Sequence, residues 1–257
     1  MEQRTNEWFR ARLGHITASE CFVLTKDRKE PMTDEELAAY RAENPKSRVT
    51  TKTVPFSEAT FTYLDRKVME NLLPLNSKSI EARNAVDDYI ETHAVTNRAM
   101  EWGTLMEDEA RNRYAREMSY EVFTMGFEPY DRYPNLVGGS PDGAKRQEDG
   151  IIEIKCPFQL EKHLQHVLYK TPADLKENEP EYYWQCVLNM LICDMQFCDF
   201  ISYSPYVSKS KQLKVLRIPR IEEDFRLLRD RIELAVLYIK SRLEQLNIIP
   251  NIITNYE

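Results

Sequence analysis

The 257-residue sequence predicts an α/β fold, a central mixed sheet flanked by helices, and three observations carry that expectation. Apolar residues recur at helical spacing between residue 6 and about 118, apart from a polar stretch at 26–56. The period becomes strand-like between about 120 and 155. Helical and strand patterns then alternate to a last amphipathic helix. Helices, then a strand cluster, then mixed elements is the order of one α/β domain, expected over 1–257 with a variable or inserted segment at about 26–97.

A helix over 6–13 opens the chain, with Asn6 as N-cap and Trp8, Phe9, Arg12 and Leu13 at helical spacing. Gly14 interrupts it. Thr17-Ala18-Ser19-Glu20 has the form of a capping box and predicts a second helix starting there. Residues 26–56 are polar and carry Pro31, Pro45 and Pro55, with a short helix from Thr33 boxed by Glu36. Longer helices follow over 57–73, where Phe61, Leu64, Val68 and Leu72 share a side, over 79–93, and over 98–118 with Trp102, Leu105, Met106 and Ala110. Strands are expected at 120–127, 136–140 and 151–155, separated by turn residues at 131–135 and 148–150. Helices return at 159–169 and 180–195, the latter with Pro180 in its first turn. Strands at 197–204 and 212–218 precede the last helix, about 221–246.

Hydrophobic residues make up 42% and charged residues 30%, an ordinary globular balance that argues against disorder. No apolar run approaches a bilayer span and the N-terminus has no signal-peptide core, so the expected compartment is the cytoplasm, that of the host cell if the gene is a phage's, with no membrane partner. Five cysteines without a CxxC pair read as free thiols, with Cys186, Cys193 and Cys198 packed in a core. The net charge of −7 gives no general basic coat. A DNA enzyme stays open, because carboxylates can hold metal ions that face a phosphate.

The informative stretch is Gly138-Gly139-Ser140-Pro141-Asp142-Gly143 followed ten residues on by Glu153-Ile154-Lys155. On a strand, Glu153 and Lys155 share one face, roughly 6–7 Å apart, and Ile152 and Ile154 share the other. A hairpin then returns Asp142, in a Pro-Asp-Gly turn, beside Glu153. Two carboxylates and an ammonium converge, the PD-(D/E)xK pattern of metal-dependent nucleases. Asp142 and Glu153 are hard oxygen ligands for Mg2+ or Mn2+, with the backbone carbonyl of Ile154 as a further ligand. Lys155 positions the attacking water or stabilises charge on the phosphate. Taken alone the same residues also describe an edge strand with a solvated face and an ordinary turn.

Company comes from three places. Glu107 follows Trp102-Gly103 on a helix and is a candidate metal-shell carboxylate. Arg12 and Ser19 flank the expected helix N-terminus at Thr17, a ready anion site. Gln185 is a polar amide in an aromatic and apolar helix, able to bond a phosphate, a base edge or a buried backbone group.

With these residues in view the chain resembles the bacteriophage lambda exonuclease family of viral recombinase (YqaJ-like) alkaline exonucleases. The resemblance runs through residues 8–19, Trp102-Gly103 to Arg111, Ser140-Pro141-Asp142-Gly143, Glu153 to Pro157, and Gln185, in that order. It implies a restriction-endonuclease-like core and a catalytic set of Asp142, Glu153, Lys155 and Glu107. Asp142, Glu153, Glu107 and the Ile154 carbonyl become metal ligands, and Arg12, Ser19, Ser140 and Gln185 hold a 5′ phosphate. It further implies 5′→3′ resection of linear duplex to a 3′ single strand for recombination, a homotrimer, and a single-strand annealing partner. An endonuclease or nickase on the same fold, and a non-catalytic DNA-binding protein, are the competing readings.

Overall fold

The computed structural model describes residues 2–93 and 96–248. Helix α1 (Asn6–Arg12) is capped one residue earlier than expected: the Thr5 side chain accepts from the Trp8 amide, and Asn6 is the first helical residue. Gly14 lets the chain leave α1 at φ +76, and a Cβ there would lie 2.6 Å from Asn71. The box at Thr17 starts no α-helix. Ile16–Thr17 is instead a two-residue strand, β1, and Cys21–Thr25 is a 3-10 turn. The Thr17 hydroxyl donates to the Glu20 carboxylate at 3.0 Å, the box's partners bonded to each other.

Strands β2 (Asp27–Pro31) and β3 (Thr51–Pro55) pair antiparallel around helix α2 (Asp34–Glu43), whose Thr33–Glu36 capping box forms as read. Helices α3 (Glu58–Glu70), α4 (Ile80–His93) and α5 (Arg98–Met118) follow the sequence spacing closely.

The strand region is more divided than its periodicity suggested. It yields β4 (Val122–Phe123), β5 (Glu128–Pro129), β6 (Val137–Gly139), β7 (Gly143–Lys145) and β8 (Gly150–Lys155). After these come α6 (Leu160–Leu168), α7 (Pro172–Asn178), α8 (Pro180–Cys193), β9 (Phe197–Tyr203), β10 (Leu213–Pro219) and α9 (Glu222–Gln245). Helix α7, with Thr171 and Asp174 as its capping box, was not foreseen.

The main sheet has the order β10-β9-β8-β7-β4 and is mixed, since only β8 and β9 run parallel. β6 leaves it for a small sheet between β1 and β5. Gly139 is the reason β6 can lie against α8: a Cβ there would sit 2.3 Å from Asn189 Oδ1.

Both faces of β8 are covered, as a strand central to its sheet requires. Ile151 joins the large core with Cys198, Phe200, α8 and α9. Ile152 and Ile154 pack with Ala110 and Tyr114 of α5 in a second, smaller core. All five cysteines are free thiols, four of them buried. Among the described residues no helix is long and apolar enough to cross a membrane.

Candidate active site

The hairpin that carries the site is β7–β8, with its turn at 146–149, overlapping the turn residues read at 148–150, while Pro141-Asp142-Gly143 leads into β7. Gly143 pairs with Ile152, so Asp142 enters the hairpin from its open end, level with Glu153. The Asp142 amide donates to the Ile152 carbonyl at 3.1 Å, and Asp142 Oδ2 accepts from the Ile154 amide at 2.6 Å. Asp142 is thus locked to the edge of β8 by backbone at both its ends.

Glu153 points to the α8 side and is 1% exposed, so its face is not solvated. Lys155 Nζ donates to Glu153 Oε1 at 2.7 Å and to Gln185 Oε1 at 3.1 Å. Asn189, one helical turn beyond Gln185, donates to Glu153 Oε2 at 3.2 Å. The Lys155 ammonium also lies 4.7 Å from the ring centre of Tyr182. Glu107 reaches in from α5, held by Arg4 and by Arg111 Nη2, the latter at 2.5 Å. Arg111 ties that helix to the hairpin through the Asp142 carbonyl at 3.1 Å.

Three buried carboxylates share this space, and the proton affinities of Asp142 and Glu153 record it. Burial, then the charges of Glu153 and Glu107, push the Asp142 carboxyl well above its ordinary range, outweighing Lys155 and the Ile154 amide. Glu153 is raised as well, by burial, against the pull of Lys155. Lys155 is raised too: burial alone lowers it, but Glu153 and Asp142 prevail and keep it an ammonium.

Ser140 accepts from Trp8 Nε1 at 3.0 Å, and the Arg12 guanidinium lies 4.2 Å from the Trp8 ring centre and donates to Ser19 Oγ at 3.0 Å. Arg12, Ser19 and Ser140 thus form a second group joined through Trp8. Burial lowers the Arg12 pKa, while the charge of Glu153 is among those that oppose the shift. The candidate anion site at Thr17 therefore consists of side chains and lacks the α-helix N-terminus that the capping box suggested.

Five residues of the site were not singled out in the sequence. Arg111 is four residues after Glu107, a helical neighbour, and Tyr182 and Asn189 continue the Gln185 stripe at helical spacing, so a signal existed for these three. Trp8 was read as an apolar helix position and as the first residue of the segment 8–19 that carries the resemblance, with no role of its own. Arg4 carries no local signal; its left-handed backbone, φ 67, and its reach to Glu107 belong to tertiary structure alone.

Among the described residues no three His, Cys, Asp and Glu side chains are preformed as a metal cage. The donor set nevertheless fits a hard divalent cation, because Mg2+ needs only one or two protein carboxylates and keeps several waters. Asp142 and Glu153 supply those, and their mutual repulsion is what a cation relieves. Strand N–H and C=O groups of one residue leave on the same edge, so the Ile154 carbonyl is directed to the side where its amide meets Asp142.

The profile of the YqaJ-like viral recombinase domain matches residues 7–196, most of the chain. The chain belongs to that family. Three solved structures that it resembles are named as exonucleases. LHK-Exo, an alkaline exonuclease from Laribacter hongkongensis, gives a TM-score of 0.65 at 24% identity, over 95% of this chain and 96% of its own. The complex of LHK-Exo with dAMP gives 0.66 at 25% identity, over 94% and 96%. A phage-related exonuclease from Haemophilus somnus 129PT gives 0.59 at 12% identity, over 90% and 96%. No curated protein matches the chain significantly. The YqaJ-like fold is therefore the restriction-endonuclease-like one expected, and all five motif segments lie within the matched residues.

Proposed function

We propose that this YqaJ-like chain is a Mg2+-dependent 5′→3′ exonuclease of duplex DNA, with Mn2+ able to substitute. The observation that supports it most is the convergence of Asp142, Glu153 and Lys155 at the end of one buried hairpin. Asp142 and Glu153 hold the cation, with the Ile154 carbonyl and Glu107 completing its surroundings. When bound, the cation supplies Lewis-acid polarisation of the phosphoryl group and acidifies water. Lys155, kept charged by its two carboxylate neighbours, orients the attacking water and donates to the oxygen on which charge develops. Gln185 fixes the Lys155 ammonium in the resting site and, with Arg12, Ser19 and Ser140, holds the 5′ phosphate. That phosphate grip gives the reaction its end and its polarity.

The family resemblance extends the proposal to a homotrimer that works in the cytoplasm with a single-strand annealing protein, leaving 3′ single strands for recombination.

The test is product analysis on linear duplexes with 5′-phosphate or 5′-hydroxyl ends, run beside covalently closed circles with Mg2+. Release of 5′ mononucleotides from phosphorylated linear ends, with circles spared, is expected. Cutting of the circles would make the enzyme an endonuclease, and loss of nucleotides from the 3′ end would overturn the polarity.

A further inference from the structure

A cavity of about 630 Å3 opens beside the candidate site, with Arg4, Glu107, Lys155, Phe158 and Lys162 on its walls. Three cations line this cavity, and in the resting protein each is ion-paired, Arg4 with Glu107, Lys155 with Glu153 and Lys162 with Glu179. Arg4 and Lys162 remain 41% and 38% exposed, so both can also meet a phosphate of a bound strand. At the mouth the chemistry changes from charge to flat apolar surface. Phe158 is 54% exposed and meets the edge of Trp102, ring centres 6.5 Å apart. Tyr206, 72% exposed, lies nearly parallel on Trp102 with ring centres 5.3 Å apart and an interplanar angle of 16°.

Large rings are costly to leave in water, and here two are held out by a third. Trp102 is fixed in place although its buried indole N–H finds no hydrogen-bond partner, so the fold keeps this ring despite an unsatisfied donor. Met100, also exposed, adds to the same apolar rim. Cationic walls beside exposed ring faces match one ligand chemistry, a phosphodiester chain with unpaired bases. Within a duplex the base faces are already stacked on one another, and only the terminal pair has a free face. An apolar protein helix would gain nothing from three cations in the adjoining cavity.

We propose that Phe158 and Tyr206, backed by Trp102, form a stacking platform for nucleobases of single-stranded DNA at the mouth of the site. The proposal rests on the nuclease reading for its place in the reaction: the platform takes up bases of the strand freed from its partner and keeps the duplex from re-forming at the cut. Stacking is tolerant of base identity, so the platform gives grip without sequence preference.

The experiment compares the affinities of a 5′-phosphorylated oligothymidylate and an abasic oligomer of equal length, in EDTA so that neither is cut. The two carry the same phosphates and differ only in bases. The wild-type protein is expected to bind the base-bearing strand roughly tenfold more tightly or better. The Phe158→Leu/Tyr206→Leu protein keeps apolar surface without ring faces; it should lose that preference while retaining its affinity for the abasic strand and its thermal melt. Equal binding of the two strands by wild type, binding of neither, or a preference that survives in the double variant would overturn the platform. Failure of the nuclease reading is seen separately, as no nucleotide release from linear duplex by wild type with Mg2+.

Discussion

Two buried acidic clusters lie on neighbouring strands of the main sheet, and they are built to opposite ends. On β9, Asp199 accepts from Lys145 Nζ at 2.6 Å, Tyr114 Oη at 2.5 Å and Arg217 Nε at 2.8 Å. Burial alone would raise its pKa, but these three partners outweigh burial and hold Asp199 below the ordinary carboxylate range. Around β8, Asp142 has the Ile154 amide and the nearby Lys155 charge against two further carboxylates, and it is pushed well above that range. Asp199 is register partner to Ile152, one residue from Glu153, so distance within the fold does not explain the contrast. What differs is the partner of the carboxylate itself: Asp199 is bonded by two cations, whereas the Asp142 side chain is bonded by a backbone amide and the cations nearby are taken by Glu107 and Glu153. A buried carboxylate left without a cation of its own beside two others has the character of a functional site rather than of a structural ion pair.

The contrast can be broken most decisively at Asp142. Asp142→Asn should lower turnover by roughly a thousandfold or more, measured as nucleotide release from phosphorylated duplex. Its melting temperature should equal or exceed that of wild type, because an amide removes repulsion and can still accept from the Ile154 amide. A destabilised Asp142→Asn protein would mean that the two clusters are alike.

Asp199→Asn should do the reverse. Leaving the buried Lys145 charge without its buried carboxylate should cost about 3–5 kcal/mol in denaturant unfolding, with activity at low temperature largely kept. The pH dependence sharpens the same point. Asp199, with its folded pKa depressed, contributes stability that is full above the unfolded carboxylate pKa of about 4 and is lost as pH falls through the lower folded value. Asp142, with its folded pKa raised, imposes a penalty that grows as pH rises above about 4 towards the folded value. The melting advantage of Asp142→Asn should therefore be absent in acid and develop towards neutrality, while the deficit of Asp199→Asn should shrink in acid.

Metal addition gives the next effect in size. Mg2+ at about a hundred times its dissociation constant should stabilise wild type by about 2.7 kcal/mol and leave the Asp142→Asn melt almost unmoved. The smallest effect belongs to the phosphate group of residues. Arg12→Ala should reduce the preference for 5′-phosphate over 5′-hydroxyl ends by about tenfold, the worth of a charge-assisted hydrogen bond. An unchanged ratio would detach Arg12 from end recognition.

Much of this was legible in the chain. Helical spacing found α3, α4, α5 and α9 to within a few residues, since long amphipathic segments repeat their signal several times. The alternation at Glu153 and Lys155 gave the shared face of β8 that carries the candidate site, and the turn residues read at 148–150 overlap the observed turn at 146–149. The strands between 120 and 145 were blurred because two- and three-residue strands hold no periodicity to detect. Thr17-Ala18-Ser19-Glu20 misled for a related reason: Thr17 is claimed by pairing with Gly138, a partner more than a hundred residues away.

The sequence by itself determined which residue types could do phosphodiester chemistry and in what local order, because side-chain alternation and helical spacing are properties of the nearest neighbours. Only the tertiary structure decided that Arg4 and Arg111 clasp Glu107, that Asn189 enters the gap left by Gly139 to hold Glu153, and that a repelling trio of carboxylates is buried where solvent cannot relieve it. Burial and long-range charge depend on which elements pack together, and that information is spread across the whole chain.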